Sequence, residues 1–196
     1  MKAGIALAVL AVVGAASAAR AQSCKVNVAQ AMPEVPVTIT GDTIEEFLQN
    51  ANSQLGDGGH MVPEASDEYD TGTGKNGVVV TKAVITVTGK VKRPRLGMSR
   101  AKGSELALIK QAEKLIQAHE KKHRDTYLQT MTAQACKGVV GKSAAQAKKA
   151  VDAAMCKANK AQEAIDQKEG MLVVVTKGGT KSVKLAPASG ASYPCN

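Results

Sequence analysis

The sequence predicts an α+β domain in which a long helix and a second, antiparallel helix pack on a small twisted β-sheet. Residues 78–91 alternate between apolar and polar side chains, which is typical of a half-buried strand. Residues 104–131 carry apolar side chains at helical spacing, and residues 143–169 form a second helical segment rich in Ala, Lys and Gln. With 196 residues the chain is long enough for one such domain with its own core.

Residues 1–21 are typical of a secretory signal peptide. Lys2 precedes an apolar run over residues 5–13, and an A-x-A cleavage site ends at Ala21. The run is too short to cross a bilayer, and no later segment reaches the roughly 18 consecutive apolar residues of a membrane helix. We therefore expect residues 22–196 to form a single periplasmic or secreted domain without a transmembrane segment.

The first part of the domain is predicted to contain a strand, a short helix and a long loop. Residues 35–40 alternate and end at a glycine, and residues 44–48 then begin a helix. Residues 56–77 are rich in Gly, Asp, Ser and Thr without a period, which predicts an exposed loop. The strand over residues 78–91 follows, and the Arg-Pro-Arg segment at residues 93–95 is expected to end it. Its buried face is predicted to consist of Val79, Ala83, Ile85, Val87 and Val91.

The second part is predicted to be a helical pair followed by a hairpin. The helix over residues 104–131 is separated from the helix over residues 143–169 by a glycine-containing break at residues 137–141. Such a short connection favours an antiparallel pair. Two short apolar segments, residues 172–175 and 182–185, flank a Lys-Gly-Gly turn and predict a closing β-hairpin.

All four cysteines lie in the exported part of the chain, so two disulfides are expected. Three pairings are possible. We expect Cys136 to pair with Cys156, which would staple neighbouring segments, and Cys24 to pair with Cys195, which would tie the two ends.

The chain is basic, with a formal net charge of +9. Such a charge favours a weak attraction to anionic envelope components, for example cell-wall polymer or lipid headgroups. Specific nucleic-acid binding is not expected, because Trp is absent and the lysines have no aromatic stacking residues beside them.

The motif that carries chemistry is an H-E-x-x-H that begins at His119 and ends at His123. Histidines four residues apart lie on one helical face, so both imidazoles can bind a single tetrahedral zinc ion. They continue the apolar stripe of Ala112 and Ile116, so they point inward, where unpaired imidazoles would need partners. Glu120 lies beside the metal, where it can activate zinc-bound water and pass the proton to a leaving amine.

The remaining site residues are less constrained by spacing. The candidates for a third metal ligand are Glu163, Asp166, Glu169 and His60. In an antiparallel pair the end of the second helix would lie near the start of the first. Its carboxylates are therefore expected to reach the metal only if that helix ends early or bends. Tyr127, one turn beyond His123, is the nearest candidate donor to a developing oxyanion, and a core-filling ring is the alternative.

Several features in order resemble a bacterial family. They are a strand ending in Gly with a following Thr and acid at residues 38–45, a later strand, the H-E-x-x-H helix, a cysteine pair, and Ile165-Asp166-x-x-Glu169-Gly170. That family is catalogued as a domain of unknown function, and its members are described as candidate secreted zinc-dependent proteases. The resemblance spans most of the exported chain and implies Asp166 as the third ligand. Members usually carry Tyr and His where this chain has Ile165 and Glu169.

Together these features predict a zincin-like fold and an exported zinc-dependent metalloprotease that hydrolyses peptide bonds in a protein or peptide substrate. The alternative is a non-catalytic periplasmic zinc-binding protein or a basic envelope-associated binding protein. Structural zinc sites use four protein ligands, whereas catalytic sites keep one position open. The number of protein ligands therefore distinguishes the two hypotheses.

Overall fold

The computed structural model describes residues 22–28, 32–55 and 61–195. The predicted signal peptide, residues 1–21, and the candidate ligand His60 lie outside these residues. Among the described helices, none combines the length and the apolar character needed to span a bilayer.

A single long strand organises the main sheet. This strand, β4 (Gly77–Leu96), has β1 (Ser23–Asn27) and β2 (Glu34–Ile39) paired parallel to it, one after the other along the same edge. Its opposite edge pairs antiparallel with β3 (Met61–Gly74). The chain is thus α+β, and each edge of its central strand is paired over more than half of the length of that strand.

The prediction of an exposed loop over residues 56–77 is wrong for the part that the structure describes. Strand β3 occupies most of it and forms a hairpin with β4 through a two-residue turn. Ala65 and Tyr69 of β3 pack against the core, with exposed residues between them. This alternation is carried by small and polar residues of weak strand propensity, and β4 supplies the hydrogen bonds that hold them extended.

The prediction that residues 93–95 end the central strand is also wrong, because β2 pairs with β4 as far as Leu96. Strand β3 begins opposite Val91. Pro94 therefore lies where β4 pairs with a described strand on one edge only, and a proline without an N–H is tolerated there.

The buried face of β4 differs from the prediction at one position. A register shift leaves Thr81 without a partner in β3, as in a β-bulge. The bulge brings Val80 and Ala83, three residues apart, to the same buried face, and Val79 is displaced from it.

The helices and the closing hairpin follow the sequence pattern closely. Helix α1 spans Ile44–Leu55, α2 spans Gly103–Gln134 and α3 spans Ala144–Glu169. The hairpin consists of β5 (Met171–Lys177) and β6 (Thr180–Ala186), which form a separate two-stranded sheet. The predicted antiparallel pairing of α2 and α3 is confirmed.

The buried apolar residues that the structure describes form two clusters that share α2. Tyr127 and Met131, in its second half, pack between the main sheet and α3. Ile109 and Ile116, in its first half, pack against α1 and the hairpin. His119 and His123 fall between the two sets on the same helix, so the fold places both histidines at the junction of the clusters.

The disulfides are Cys24–Cys136 and Cys156–Cys195, so the predicted pairing is wrong. Cys24 and Cys136 pack against the same core cluster, which brings β1 beside the turn after α2. Cys156 lies 12 residues from the start of α3, or roughly 18 Å along the helix, too far from that turn to bond with Cys136. Two disulfides are consistent with a location outside the cytoplasm.

Candidate metal centre

The register of α2 against α3 places the last turn of α3 beside the middle of α2. Helix α2 has 32 residues and α3 has 26, and the chain reverses direction between them. His119 therefore lies opposite Asp166, and His123 lies opposite Gln162. The expectation that Asp166 reaches the histidines only if α3 ends early or bends is wrong, because the N-terminal part of α2 extends past the end of α3.

Three ligand atoms converge at this level. His119 Nε2 lies 3.1 Å from Asp166 Oδ1, and His123 Nε2 lies 2.9 Å from the same oxygen. The two Nε2 atoms are themselves 2.9 Å apart. The side chains are held in a largely dry environment, with 9 %, 4 % and 13 % of His119, His123 and Asp166 exposed.

The partner of the other ring nitrogen decides the tautomer of His123. Its Nδ1 lies 2.6 Å from Gln162 Oε1, and Gln162 Nε2 donates to Ala158 O at 3.3 Å. An amide oxygen can only accept, so Nδ1 carries the ring proton and donates to it. In the neutral ring Nε2 then presents its lone pair to Asp166 and His119.

The tautomer of His119 is influenced by a more distant carboxylate. Its buried Nδ1 has no hydrogen-bond partner among the described residues, and the carboxylate oxygen Glu169 Oε1 lies 3.9 Å from it. That carboxylate favours the ring proton on Nδ1, which leaves the lone pair of Nε2 directed at Asp166. Glu169 is held in place by Lys122, whose Nζ donates to it at 2.6 Å.

Three lone pairs directed at one point repel each other unless a cation lies among them. A carboxylate oxygen accepts only, and the two imidazole nitrogens have their protons on the far side of the ring. A single proton can join two of these atoms but not all three. The donor set of His119, His123 and Asp166 therefore fits one metal ion, since all three ligand atoms lie within 4.8 Å of one another.

The ionisation of the same residues reflects this arrangement. Burial by itself would raise the pKa of Asp166, but the contacts with His119 and His123 and the hydrogen bond from Tyr193 hold that pKa well below its usual range. Burial opposes the charged form of His123, yet the hydrogen bond and charge of Asp166 outweigh it and raise the pKa. Asp166 is thus an ionised carboxylate, which is the form that binds a metal.

Tyr193 supports the carboxylate from the C-terminal segment. Its hydroxyl donates to Asp166 Oδ2 at 2.7 Å, so the two oxygens of the carboxylate face different partners. Burial and the neighbouring charge of Asp166 together raise the pKa of Tyr193, which keeps the phenol a proton donor.

A cleft of about 640 Å³ opens beside the three ligands. Glu120, 4 % exposed, lines it next to His119 and His123. The other walls are mainly apolar and come from α1, α2, the hairpin and the C-terminal segment. They include Leu48, Leu55, Ile116, Leu172 and Leu185. The site therefore has a polar end at the ligands and an apolar surface leading away from it.

The other predicted site residues lie elsewhere. The ring of Tyr127 is fully buried in the core cluster between the sheet and α3, and burial raises its pKa to about 12. It does not line the cleft, and this position favours the alternative of a core-filling ring. Glu163 hydrogen-bonds to Lys160 and Gln167, away from the ligands. Glu169 lies on the Nδ1 side of His119, behind the ligand atoms.

Sequence reasoning missed Gln162 and Tyr193. Gln162 precedes Asp166 by one helical turn, so its place on the ligand face was readable once Asp166 was chosen. Tyr193 precedes Cys195 by two residues, and the correct disulfide would have placed it beside α3.

The pattern of one family, described as a bacterial protein of unknown function (DUF922), matches residues 35–172. No curated protein and no solved structure matches the chain. The matched segment includes the H-E-x-x-H motif and Asp166, and it ends before Tyr193. Because the match covers more than half of the 196 residues, the chain belongs to the DUF922 family of bacterial proteins of unknown function.

Proposed function

We propose that this protein is an exported, zincin-like metallopeptidase that uses zinc to hydrolyse peptide bonds. The observation that carries the proposal is the convergence of three lone-pair atoms, from His119, His123 and Asp166, with Glu120 beside them at the end of a cleft. Two histidines and one carboxylate are a common protein ligand set of catalytic zinc sites.

The spacing of the ligand atoms supports zinc. Neighbouring ligand atoms in a tetrahedral zinc site with bonds of about 2.0–2.2 Å are separated by roughly 3.3–3.6 Å. The three atoms here are 2.9–3.1 Å apart, so they need to separate by only a few tenths of an ångström. Zinc bound there would supply a Lewis acid that polarises the scissile carbonyl and makes water more acidic.

Glu120 is the group we assign to proton transfer. It follows the first histidine by one residue and faces the cleft, so it can accept a proton from the attacking water. The same carboxyl can then donate that proton to the amine that leaves when the peptide bond breaks. The low exposure of Glu120 limits competing bulk water.

The cleft supports a peptide as substrate. Its apolar walls continue from the ligands past α1 and the hairpin, where an extended chain can place apolar side chains while its carbonyl reaches the polar end. Location in the periplasm or outside the cell is part of the proposal, and it is supported by the two disulfides and by the signal-peptide pattern of residues 1–21.

The experiment is a paired measurement of bound metal and of proteolysis. We expect the purified protein to bind one zinc per chain and to cleave a fluorescently labelled unfolded protein. Glu120→Gln should retain the metal and lose the cleavage activity by 100-fold or more, on the order of the contribution of a general base. Glu113→Gln, on the same helix but outside the cleft, is the matched control.

Two outcomes contradict the proposal. If the protein retains zinc but cleaves neither the unfolded protein nor a peptide library, the non-catalytic zinc-binding hypothesis replaces it. If it binds no zinc after reconstitution, or binds another metal in preference, the zinc assignment itself fails.

A further inference from the structure

The C-terminal segment, residues 187–195, runs along α3 and is attached to it at both ends. At one end Ala188 N donates to Asp166 O at 2.9 Å. At the other end Asn159 Nδ2 donates to Pro194 O at 2.6 Å, and Cys195 is bonded to Cys156. We call residues 187–195 the C-terminal strap. It follows α3 in the reverse direction and forms one wall of the cleft.

Tyr193 lies within this strap, close to the end that carries the disulfide. Its hydroxyl donates to Asp166 Oδ2 at 2.7 Å, and its ring centroid lies 6.5 Å from that of His123. Asp166 Oδ1, the other oxygen, is the atom that faces both histidines. The hydrogen bond therefore selects which oxygen is directed at the metal position and fixes the rotation of the carboxylate.

We propose that Tyr193 is a positioning residue for the metal ligand Asp166, and that the Cys156–Cys195 disulfide holds it in place. Metal ligands are commonly oriented by outer hydrogen-bond partners, whose removal costs 10–100-fold in metal affinity. Without the phenol of Tyr193, the carboxylate of Asp166 can rotate or bind the metal through both of its oxygens. Without the disulfide, the hydrogen bond from Asn159 to Pro194 is, apart from that of Tyr193 itself, the one attachment of the strap near Tyr193 that remains among the described residues. Full metal affinity thus requires oxidation of this cysteine pair.

The inference rests on the metal site of the proposed function and not on peptidase activity. Its test is therefore a metal titration without substrate. Zinc affinity is measured by competition with a chelating dye in the full exported protein. The visible spectrum of the cobalt-substituted protein is recorded in parallel, because it reports the coordination of the metal independently of folding.

We expect Tyr193→Phe to bind zinc about 10–100-fold more weakly. Its cobalt spectrum should lose intensity, since a carboxylate that binds through both oxygens raises the coordination number. The Cys156→Ala, Cys195→Ala double variant should lose affinity to a similar extent. Combining it with Tyr193→Phe should add little further loss, because both changes remove the same hydrogen bond.

The chain offers a matched control in its other disulfide. Cys24→Ala with Cys136→Ala removes a disulfide that spans 112 residues, packs against the core cluster of the main sheet and does not line the cleft. We expect it to lower the free energy of unfolding while leaving the zinc affinity and the cobalt spectrum unchanged. A chemical denaturation curve for each metal-free variant separates effects on folding from effects on the site.

Several results would overturn the proposal. Wild-type zinc affinity and an unchanged cobalt spectrum in Tyr193→Phe exclude the positioning role. The specific role of the Cys156–Cys195 disulfide is excluded if the variant without it binds zinc with wild-type affinity. It is also excluded if the variant without the Cys24–Cys136 disulfide loses as much zinc affinity. A wild-type protein that binds no metal refutes both this inference and the proposed function. A protein that binds zinc but cleaves no peptide refutes the proposed function alone.

Discussion

Gln162 is fully buried on α3, where it accepts a hydrogen bond from His123 Nδ1 at 2.6 Å and donates one to Ala158 O. Replacing it with methionine keeps nearly the same volume and removes the acceptor. The imidazole N–H of His123 is then buried without a partner, since only 4 % of that side chain is exposed. We expect two separable effects, one on folding and one on metal binding.

The effect on folding follows from the cost of an unsatisfied buried donor, about 1–3 kcal/mol. For a domain of this size, each kcal/mol lowers the melting temperature by about 2–4 °C, so a decrease of roughly 2–12 °C is expected for the metal-free protein. The effect on binding follows from the loss of the partner that orients a histidine ligand. That loss should weaken zinc affinity by about 10–100-fold.

Both effects are measurable on the same samples, by thermal unfolding in the presence of a chelator and by zinc competition. Gln167→Met is the control, because Gln167 lies on the same helix but is exposed and bonds only to Glu163 among the described side chains. If Gln162→Met unfolds and binds zinc like Gln167→Met, then Gln162 neither satisfies nor orients His123. The tautomer argument for the metal site would fail with it.

Two further predictions concern residues outside the ligand set. Tyr127→Phe should stabilise the protein slightly or leave its free energy of unfolding unchanged, because the hydroxyl is buried without a hydrogen-bond partner among the described residues. The peptidase rate of this variant should equal that of the wild type, and a large decrease would make Tyr127 catalytic after all. Asp42→Asn tests an electrostatic contact, since the backbone N–H and guanidinium of Arg100 lower the pKa of Asp42 below its ordinary value of 3.8. A carboxyl whose pKa is lowered by folding stabilises the fold fully at pH values above its ordinary pKa, here 3.8. The difference in the free energy of unfolding between wild type and variant should therefore shrink as the pH falls below 3.8. A difference that stays constant in acid denaturation curves would contradict the assignment.

Much of the fold was predictable where the pattern is local and repeated. Helices α2 and α3 and the β5–β6 hairpin were correctly predicted, because helical spacing and a Lys-Gly-Gly turn act within a few residues. Strand β3 was not predicted. Its residues are small and polar, and it is extended because β4 offers hydrogen bonds along its whole length. Strand pairing is a contact with another segment of the chain. The residues of β3, considered without β4, therefore carry no pattern that reveals it.

The residues of the candidate metal centre were likewise predictable only in part. His119 and His123 are neighbours by helix geometry alone, so their convergence was readable from their spacing. Asp166 was proposed as a ligand by resemblance to a family, whereas helix geometry argued against its reaching them. Asp166 does reach both histidines, because α2 is longer than α3 and its histidines lie at the level of the last turn of α3.

By itself, the sequence determined the amphipathic helices, the long central strand and the two histidines with Glu120 on one helix. Each of these depends on the conformation of a few consecutive turns or residues. Only the tertiary structure decided which carboxylate lies beside the two histidines, how the four cysteines pair, and that Gln162 and Tyr193 approach the site. These depend on the register between α2 and α3 and on the return of the chain along α3, which bring together residues that local periodicity cannot relate.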